Sequence, residues 1–304
     1  MLIILYGDIS NKKNEKQQLM IDGKVTCGYR EYAKNFGCII YMMPQDIKQP
    51  WEYVMIQPKN VVNFINKHPD AVIWSVKHSP KKDEQILSKI KNKKIYYSCN
   101  AKNIWNNKCN VSLVDTPKRV KKNGKLWFKG KDPHYWKPLK ENQKEYDYVL
   151  VGLRGDKNET YFIKSLREIK EKRKILWIGG YKFKKKIPKT HHEVHLTKKL
   201  SQDEVKNNIP KAKVGILFTE LKVEGFPQGF LEMTMCGVPV VYNIKAPRNK
   251  FYFHKYNHVL CTKNNMVKEA EKLLKNRYPI KCREIAINNY RLEKSYERIL
   301  ECLK

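Results

Sequence analysis

Acidic side chains are scarce in this chain: 30 Asp and Glu stand against 62 Lys and Arg over 304 residues, a formal net charge of +32. A polycation of this size is drawn to phosphate backbones and anionic membrane surfaces by long-range attraction and counterion release. Arginine is scarce too, ten of the 62 basic residues, so an AT-rich coding bias toward lysine supplies part of the excess. The eight cysteines never come closer in sequence than Cys99 and Cys109, which excludes a CxxC zinc site. Long apolar runs are missing: Val214 to Phe218 and Val238 to Tyr242 are strand-length, too short for a membrane-spanning helix. The apolar start, Met1 to Leu5, stops at Tyr6-Gly7-Asp8 without a charged segment before it. It reads as the first strand of a cytoplasmic protein, not as a secretory signal. What is present, 41% hydrophobic and 11% aromatic residues, suffices for a packed core and excludes wholesale disorder.

Along the first half, short apolar runs alternate with amphipathic stretches. Strands are expected at Leu2 to Tyr6, Cys38 to Met43, Ala71 to Val76, Ile95 to Ser98 and Val111 to Val114, with a helix over Gly28 to Phe36. Strand and helix in alternation imply a parallel sheet. Between Lys118 and Lys131 seven of fourteen positions are basic and none is acidic, and Asp132 to Pro138 has the prolines and polar residues of a connector. A second series follows: strands at Tyr148 to Val151, Ile175 to Ile178, Val214 to Phe218 and Val238 to Tyr242, helices over Glu159 to Glu171, Gln202 to Asn208 and Pro227 to Met235, and helical spacing over Val267 to Lys275 and Cys282 to Leu303. The expected fold is α/β: two Rossmann-like doubly wound parallel-sheet domains facing across a cleft, residues 1–138 on the acceptor side and 139–304 on the donor side. In such sheets ligands sit outside the carboxyl ends of the strands.

The stretch from Phe218 to Val241 carries the most chemistry. Glu224 lies in a loop after a strand and Glu232 in the helix that follows, with Gly225 to permit the turn and Pro227 suited to the first helical position. A helix starting at a strand's carboxyl end aims unpaired N–H groups and a partial positive charge outward, which suits a phosphate. Carboxylates accept from vicinal hydroxyls without offering a competing donor. The donor-binding candidates are therefore Gly225, Phe226, Pro227, Gln228, Gly229 and Glu232.

Glu224-Gly-Phe-Pro through Leu231-Glu232 and Cys236-Gly-Val-Pro-Val-Val resembles the donor-site signature of the retaining glycosyltransferases of family four, which have the two-domain GT-B fold. Lys129 to Asp132 with Trp136-Lys-Pro138 resembles that family's interdomain connector. Val151-Gly-Leu-Arg154-Gly-Asp-Lys157 resembles its phosphate-binding turn, Ile178-Gly179-Gly180 its next strand end, and Leu200-Ser-Gln-Asp-Glu-Val the helix entry before the glutamate segment. The resemblance covers residues 129–243 and is topological before that. It implies transfer of a hexose from a nucleotide-diphosphate sugar, a UDP-sugar such as UDP-glucose, to a hydroxyl, with no metal required. Glu232 would bind the donor ribose, Glu224 the donor sugar, and Arg154 and Lys157 the leaving diphosphate. The chain departs from the pattern in the close spacing of Arg154 and Lys157, and in having Ser75 and Asn100 where a histidine often lies near the transferred sugar; His78 would take that place.

Trp127 and Phe128 stand among the lysines of the basic run, and Tyr181 to Lys189 places five lysines in the eight positions from Lys182 onward. Cations interleaved with aromatics suit a polyanion whose bases can stack. Lys118, Arg119, Lys121, Lys122, Trp127, Lys129 and Lys131 are the nucleic-acid candidates, and the leading acceptor is a hydroxymethylated base in DNA, as in phage-type DNA glycosyltransferases. Two alternatives stand beside it: a peripheral-membrane glycosyltransferase of glycan or lipid acceptors, and a nucleic-acid-binding protein on a degenerate transferase scaffold.

Overall fold

The computed structural model describes residues 2–6, 35–36, 39–42, 54–56, 61–76, 88–97, 111–114, 124–127, 129–152, 159–198, 200–218, 227–243, 256, 258–262, 265–301 and 304. The chain divides into two units, Met1–Gly130 with Leu292–Lys304, and Lys131–Arg291. The boundary expected at 138 thus lies inside the second unit, and the end of the chain, assigned to the donor side, belongs to the first.

The first unit is a parallel sheet of β1 (Leu2–Tyr6), β2 (Ile39–Met42), β3 (Val54–Ile56), β4 (Val72–Val76), β5 (Lys94–Tyr97), β6 (Val111–Val114) and β7 (Gly124–Leu126), in the order β3-β2-β1-β4-β5-β6-β7. Helix α1 (Val61–Asn66) precedes β4, and the turn between them is fastened by Asn92, whose Nδ2 donates to the carbonyls of His68 (2.7 Å) and Ala71 (2.9 Å). Ile65, Ala71, Ile73, Ile90 and Trp127 are buried.

The second sheet has β8 (Tyr146–Val151), β9 (Lys174–Ile178), β10 (Glu193–Leu196), β11 (Ala212–Phe218), β12 (Val240–Asn243) and β13 (His258–Cys261), again all parallel, in the order β10-β9-β8-β11-β12-β13. Counting strands within each unit, both sheets follow the Rossmann sequence 3-2-1-4-5-6, which the first extends by a seventh strand at its edge. Tyr148, Val149 and Leu150 are all buried, as are Val214 to Leu217, because helices cover both faces and leave no polar side to the strand. On one face Tyr148, Leu150, Trp177, Val214 and Ile216 pack against Phe162 and Ile163 of α2 (Glu159–Ser165). Helix α3 (Gln202–Asn208) opens with a capping box in which Ser201 Oγ accepts from the Glu204 N–H and Glu204 Oε2 from the Ser201 N–H. Helix α4 (Gln228–Met235) lies on the other face. A methyl on Gly215 would meet Met233 Sδ of α4 at 2.4 Å, which fixes that packing.

The chain closes with α5 (Met266–Lys275), α6 (Pro279–Tyr290) and α7 (Leu292–Glu301). The helical spacing over Cys282 to Leu303 is broken at Arg291, whose backbone is extended (φ −61°, ψ 153°) and bridges to Lys131. The Lys131 N–H donates to the Tyr290 carbonyl at 2.9 Å. The second unit's first and last residues are therefore tied to each other.

Candidate functional site

In the second sheet the strand order reverses between β8 and β11, so the carboxyl ends of these two strands flank the position where open α/β sheets take ligands. Helix α4 begins there. A Cβ on Gly229, in its first turn, would lie 3.4 Å from Leu217 Cδ2 of β11 and 4.0 Å from Val151 Cβ of β8. Gly229 thus faces the two strand ends. Pro227 is the residue before the helix (φ −69°, ψ 129°), one position earlier than expected, and its carbonyl accepts from the N–H of Phe230 at 3.1 Å. Ahead of Phe230, the N–H groups of Gln228 and Gly229 have no carbonyl within the helix to bond.

Phe230, Leu231, Met233, Thr234 and Met235 are buried, whereas Gln228 and Glu232 are half-buried. One turn apart, they share a face of α4. The Gln228 carboxamide oxygen is shut off from solvent with no hydrogen-bond partner among the described residues, a costly state for an acceptor. Glu232 Oε1 accepts from Lys131 Nζ at 2.9 Å, and the side chains are 15% and 1% exposed. Lys131 also lies over the Trp136 ring, 5.1 Å from its centroid, a cation–π contact.

The far end of α4 is closed as firmly. Gly237 adopts a left-handed conformation (φ +69°), its N–H donates to the Thr234 carbonyl (3.0 Å), and the Val238 N–H donates to Met233 (2.9 Å). This is a Schellman cap. The Arg283 guanidinium of α6 donates to the carbonyls of Met235, Trp136 (2.7 Å) and Pro133 (2.8 Å), tying the helix end to the connector. Burial pushes the Cys236 thiol up to about 12, so it is a packing residue here and not a nucleophile.

The structure brings Pro227, Gln228, Gly229, Glu232 and Lys131 together at one helix. Arg154, Lys157, Glu224, Gly225, Phe226, His78, Lys118, Arg119, Lys121 and Lys122 lie outside the described residues. Trp127, Lys129 and Lys131 require a correction as nucleic-acid contacts. Trp127 is fully buried and its indole N–H donates to the Ser295 carbonyl at 2.9 Å; Lys129 is buried; Lys131 is committed to Glu232. Buried groups cannot stack on a base or reach a phosphate. The sequence reading missed Lys131 as the partner of Glu232, Gln228 as an unsatisfied acceptor and Arg283 as a clamp. Only the match of Lys129 to Asp132 to a connector pointed toward the first.

The second basic run is organised differently. After β9, Gly179 turns the chain (φ +79°) and a 3-10 helix covers Gly180–Lys186. A methyl on Gly180 would strike the Trp177 indole at 2.5 Å, so only glycine allows this approach. Phe183 stacks on Trp177 (5.0 Å between centroids, 14° between planes). That anchor leaves Tyr181 48% exposed, with Lys182, Lys184, Lys185 and Lys186 also exposed. The ammonium groups of Lys184 and Lys198 lie 6.0 and 5.7 Å from the Tyr181 ring centre.

No protein-family model and no curated protein sequence matches the chain. Its fold does match solved structures. HepE of Anabaena, in complex with UDP-glucose, superposes with a TM-score of 0.69 at 12% identity, over 100% of this chain and 99% of that one. A glycosyltransferase of Rickettsia africae gives 0.71 at 13% identity over 100% and 98%. An alpha-glucosyltransferase in complex with UDP and a 13-mer DNA containing an HMU base gives 0.67 at 10% identity over 99% of each chain. The chain has the GT-B fold. Among the described residues, no three His, Cys, Asp or Glu side chains gather where a metal ion could be held, and no helix is long and apolar enough to cross a membrane.

Proposed function

We propose that this chain is a glycosyltransferase that moves a hexose from a UDP-sugar to a hydroxyl with retention of configuration, and that the acceptor is a hydroxymethylated base in DNA. The observation that carries the donor half is the start of α4 at the reversal point of the second sheet, with Gln228 and Glu232 on one face. The helix start offers N–H groups and positive potential to a diphosphate, Glu232 offers carboxylate oxygen to the ribose diol, and a ligand hydroxyl would satisfy the Gln228 oxygen. In this reading Arg154 and Lys157 neutralise the departing diphosphate and Glu224 holds the sugar. The acceptor oxygen attacks the anomeric carbon as its bond to the phosphate oxygen breaks, and that oxygen takes the acceptor proton on the same face. His78 would line the sugar, and the reaction would occur in the cytoplasm.

The DNA half is supported by the net charge of +32 and by Tyr181 standing among exposed lysines; acting on a base in duplex DNA requires extruding it, and aromatic and cationic groups stabilise an unstacked strand. The experiment is a transfer assay with a panel of nucleotide sugars against hydroxymethylated DNA, unmodified DNA, lipid and glycan acceptors. Turnover only with hydroxymethylated DNA, with binding that weakens steeply as salt rises, is the expected result. Transfer to lipid or glycan with indifference to DNA would refute the DNA half; no UDP binding by calorimetry would refute the donor half.

A further inference from the structure

We propose that Lys131 is a positioning residue of the donor site: its buried ammonium holds one carboxylate oxygen of Glu232 so that the other meets the ribose diol. The inference rests on the reading of Glu232 as the ribose contact. The pair is asymmetric, with Lys131 at 1% and Glu232 at 15% side-chain exposure, so the lysine stands behind the carboxylate and solvent or ligand in front. Lys131 is itself fixed: its N–H donates to Tyr290 at 2.9 Å, its backbone bridges to Arg291, and its ammonium sits 5.1 Å from the centre of the Trp136 ring. A glutamate on a helix has three rotatable bonds, and gripping a vicinal diol with both hydroxyls requires them to be stilled; a charge-assisted hydrogen bond of 2.9 Å does this from a rigid base. A buried ion pair is weak evidence for stability, which leaves orientation as the use that this geometry serves.

The test is calorimetry of UDP and 2′,3′-dideoxy-UDP on wild type, K131M, E232Q and the double variant, each checked for folding by a thermal melt. Wild type is expected to prefer UDP by about tenfold or more, the size of a hydrogen bond to a charged group. K131M should lose that preference to within about twofold while binding dideoxy-UDP as wild type does, because Lys131 bears on the ribose through Glu232. If K131M does not fold, the double variant, which buries no lone charge, decides: it should match E232Q for both ligands. K131M that keeps the wild-type preference, or a double variant weaker than E232Q, overturns the role of Lys131 alone. A wild type without preference, or E232Q that retains it, overturns the ribose reading beneath it.

Discussion

Glu232 is the partner of Lys131 as well as the proposed ribose contact, and this makes alanine a poor probe of its function. Removing the carboxylate takes the Glu232 oxygen from the Lys131 ammonium, whose side chain is 1% exposed, and breaking a buried ion pair from one side costs about 3 kcal/mol or more. Glu232→Ala should therefore lower the unfolding free energy, read from urea titration, by that amount before any donor is added, whereas Glu232→Gln, which keeps an acceptor for Lys131, should lose markedly less. Equal stability in the two variants would contradict the ion pair. A second residue sets a pH response. His192 is 7% exposed; its Nδ1 accepts from the Arg173 N–H at 3.2 Å and its Nε2 faces the Leu166 carbonyl at 2.9 Å, so it is held neutral with the proton on Nε2. Burial, with His191 and Arg173 alongside, lowers its pKa below the usual value, against the smaller pull of the Leu166 carbonyl and Glu271. Unfolding then takes up a proton in the window below about pH 6.5. The contribution of His192 is complete above that pH and is lost as pH falls through the lowered folded-state value. Thermal midpoints measured from pH 7.5 to 5 should fall accordingly, and His192→Gln should flatten that slope.

The elements show why some of this was legible in sequence and some was not. Unbroken apolar runs are legible as strands: β1 and β6 fall where expected and β8, β9, β11 and β12 start within two residues of it. β3, β7, β10 and β13 were missed. β7 is three residues, Gly-Lys-Leu, at a sheet edge and inside the basic run, and β10 is an edge strand reading Glu-Val-His-Leu; edges carry polar side chains and lose the apolar signature. In the site, Glu232 was visible because the glycine, the proline and the helix pattern around it are local. Its partner lies 101 positions away, and no local period reports such a pairing. The glycines at the two ends of α4 differ for a related reason. Gly237 is left-handed and a Cβ there would meet the Pro279 carbonyl oxygen at 3.1 Å, so Gly237→Ala should cost about 2 kcal/mol, from the left-handed backbone and the crowding together. Gly229 meets only ordinary contacts at 3.4 and 4.0 Å, so Gly229→Ala should be neutral or stabilising by up to about 1 kcal/mol. It should leave UDP affinity unchanged, since its side-chain direction is toward the sheet. Denaturant midpoints and calorimetry on the two variants separate these outcomes.

At the scale of the whole molecule the chain is interleaved, since one unit is continuous, Lys131–Arg291, and the other needs both ends, Met1–Gly130 and Leu292–Lys304. In α7, Leu292, Ser295 and Ile299 are buried, Phe36 stacks on Tyr296 at 3.9 Å, and the Ser295 carbonyl takes the proton of the buried Trp127 indole. Cutting the chain after Arg291 exposes those side chains' packing partners and leaves the indole N–H unsatisfied at about 1–3 kcal/mol, on top of the lost apolar burial. The second unit keeps its whole sheet and helices α2 to α6, and its ends remain paired through Lys131 and Tyr290. A fragment of residues 131–291 should therefore melt cooperatively and bind UDP with an affinity close to that of the full chain, because β8, β11, α4, Lys131 and Glu232 are all within it. The chain 1–291 should keep that transition while its first unit melts early and binds a hydrophobic dye. If instead the fragment is unfolded and the truncated chain melts as the full one does, the division of the core between the two units is wrong, and α7 is a surface appendage.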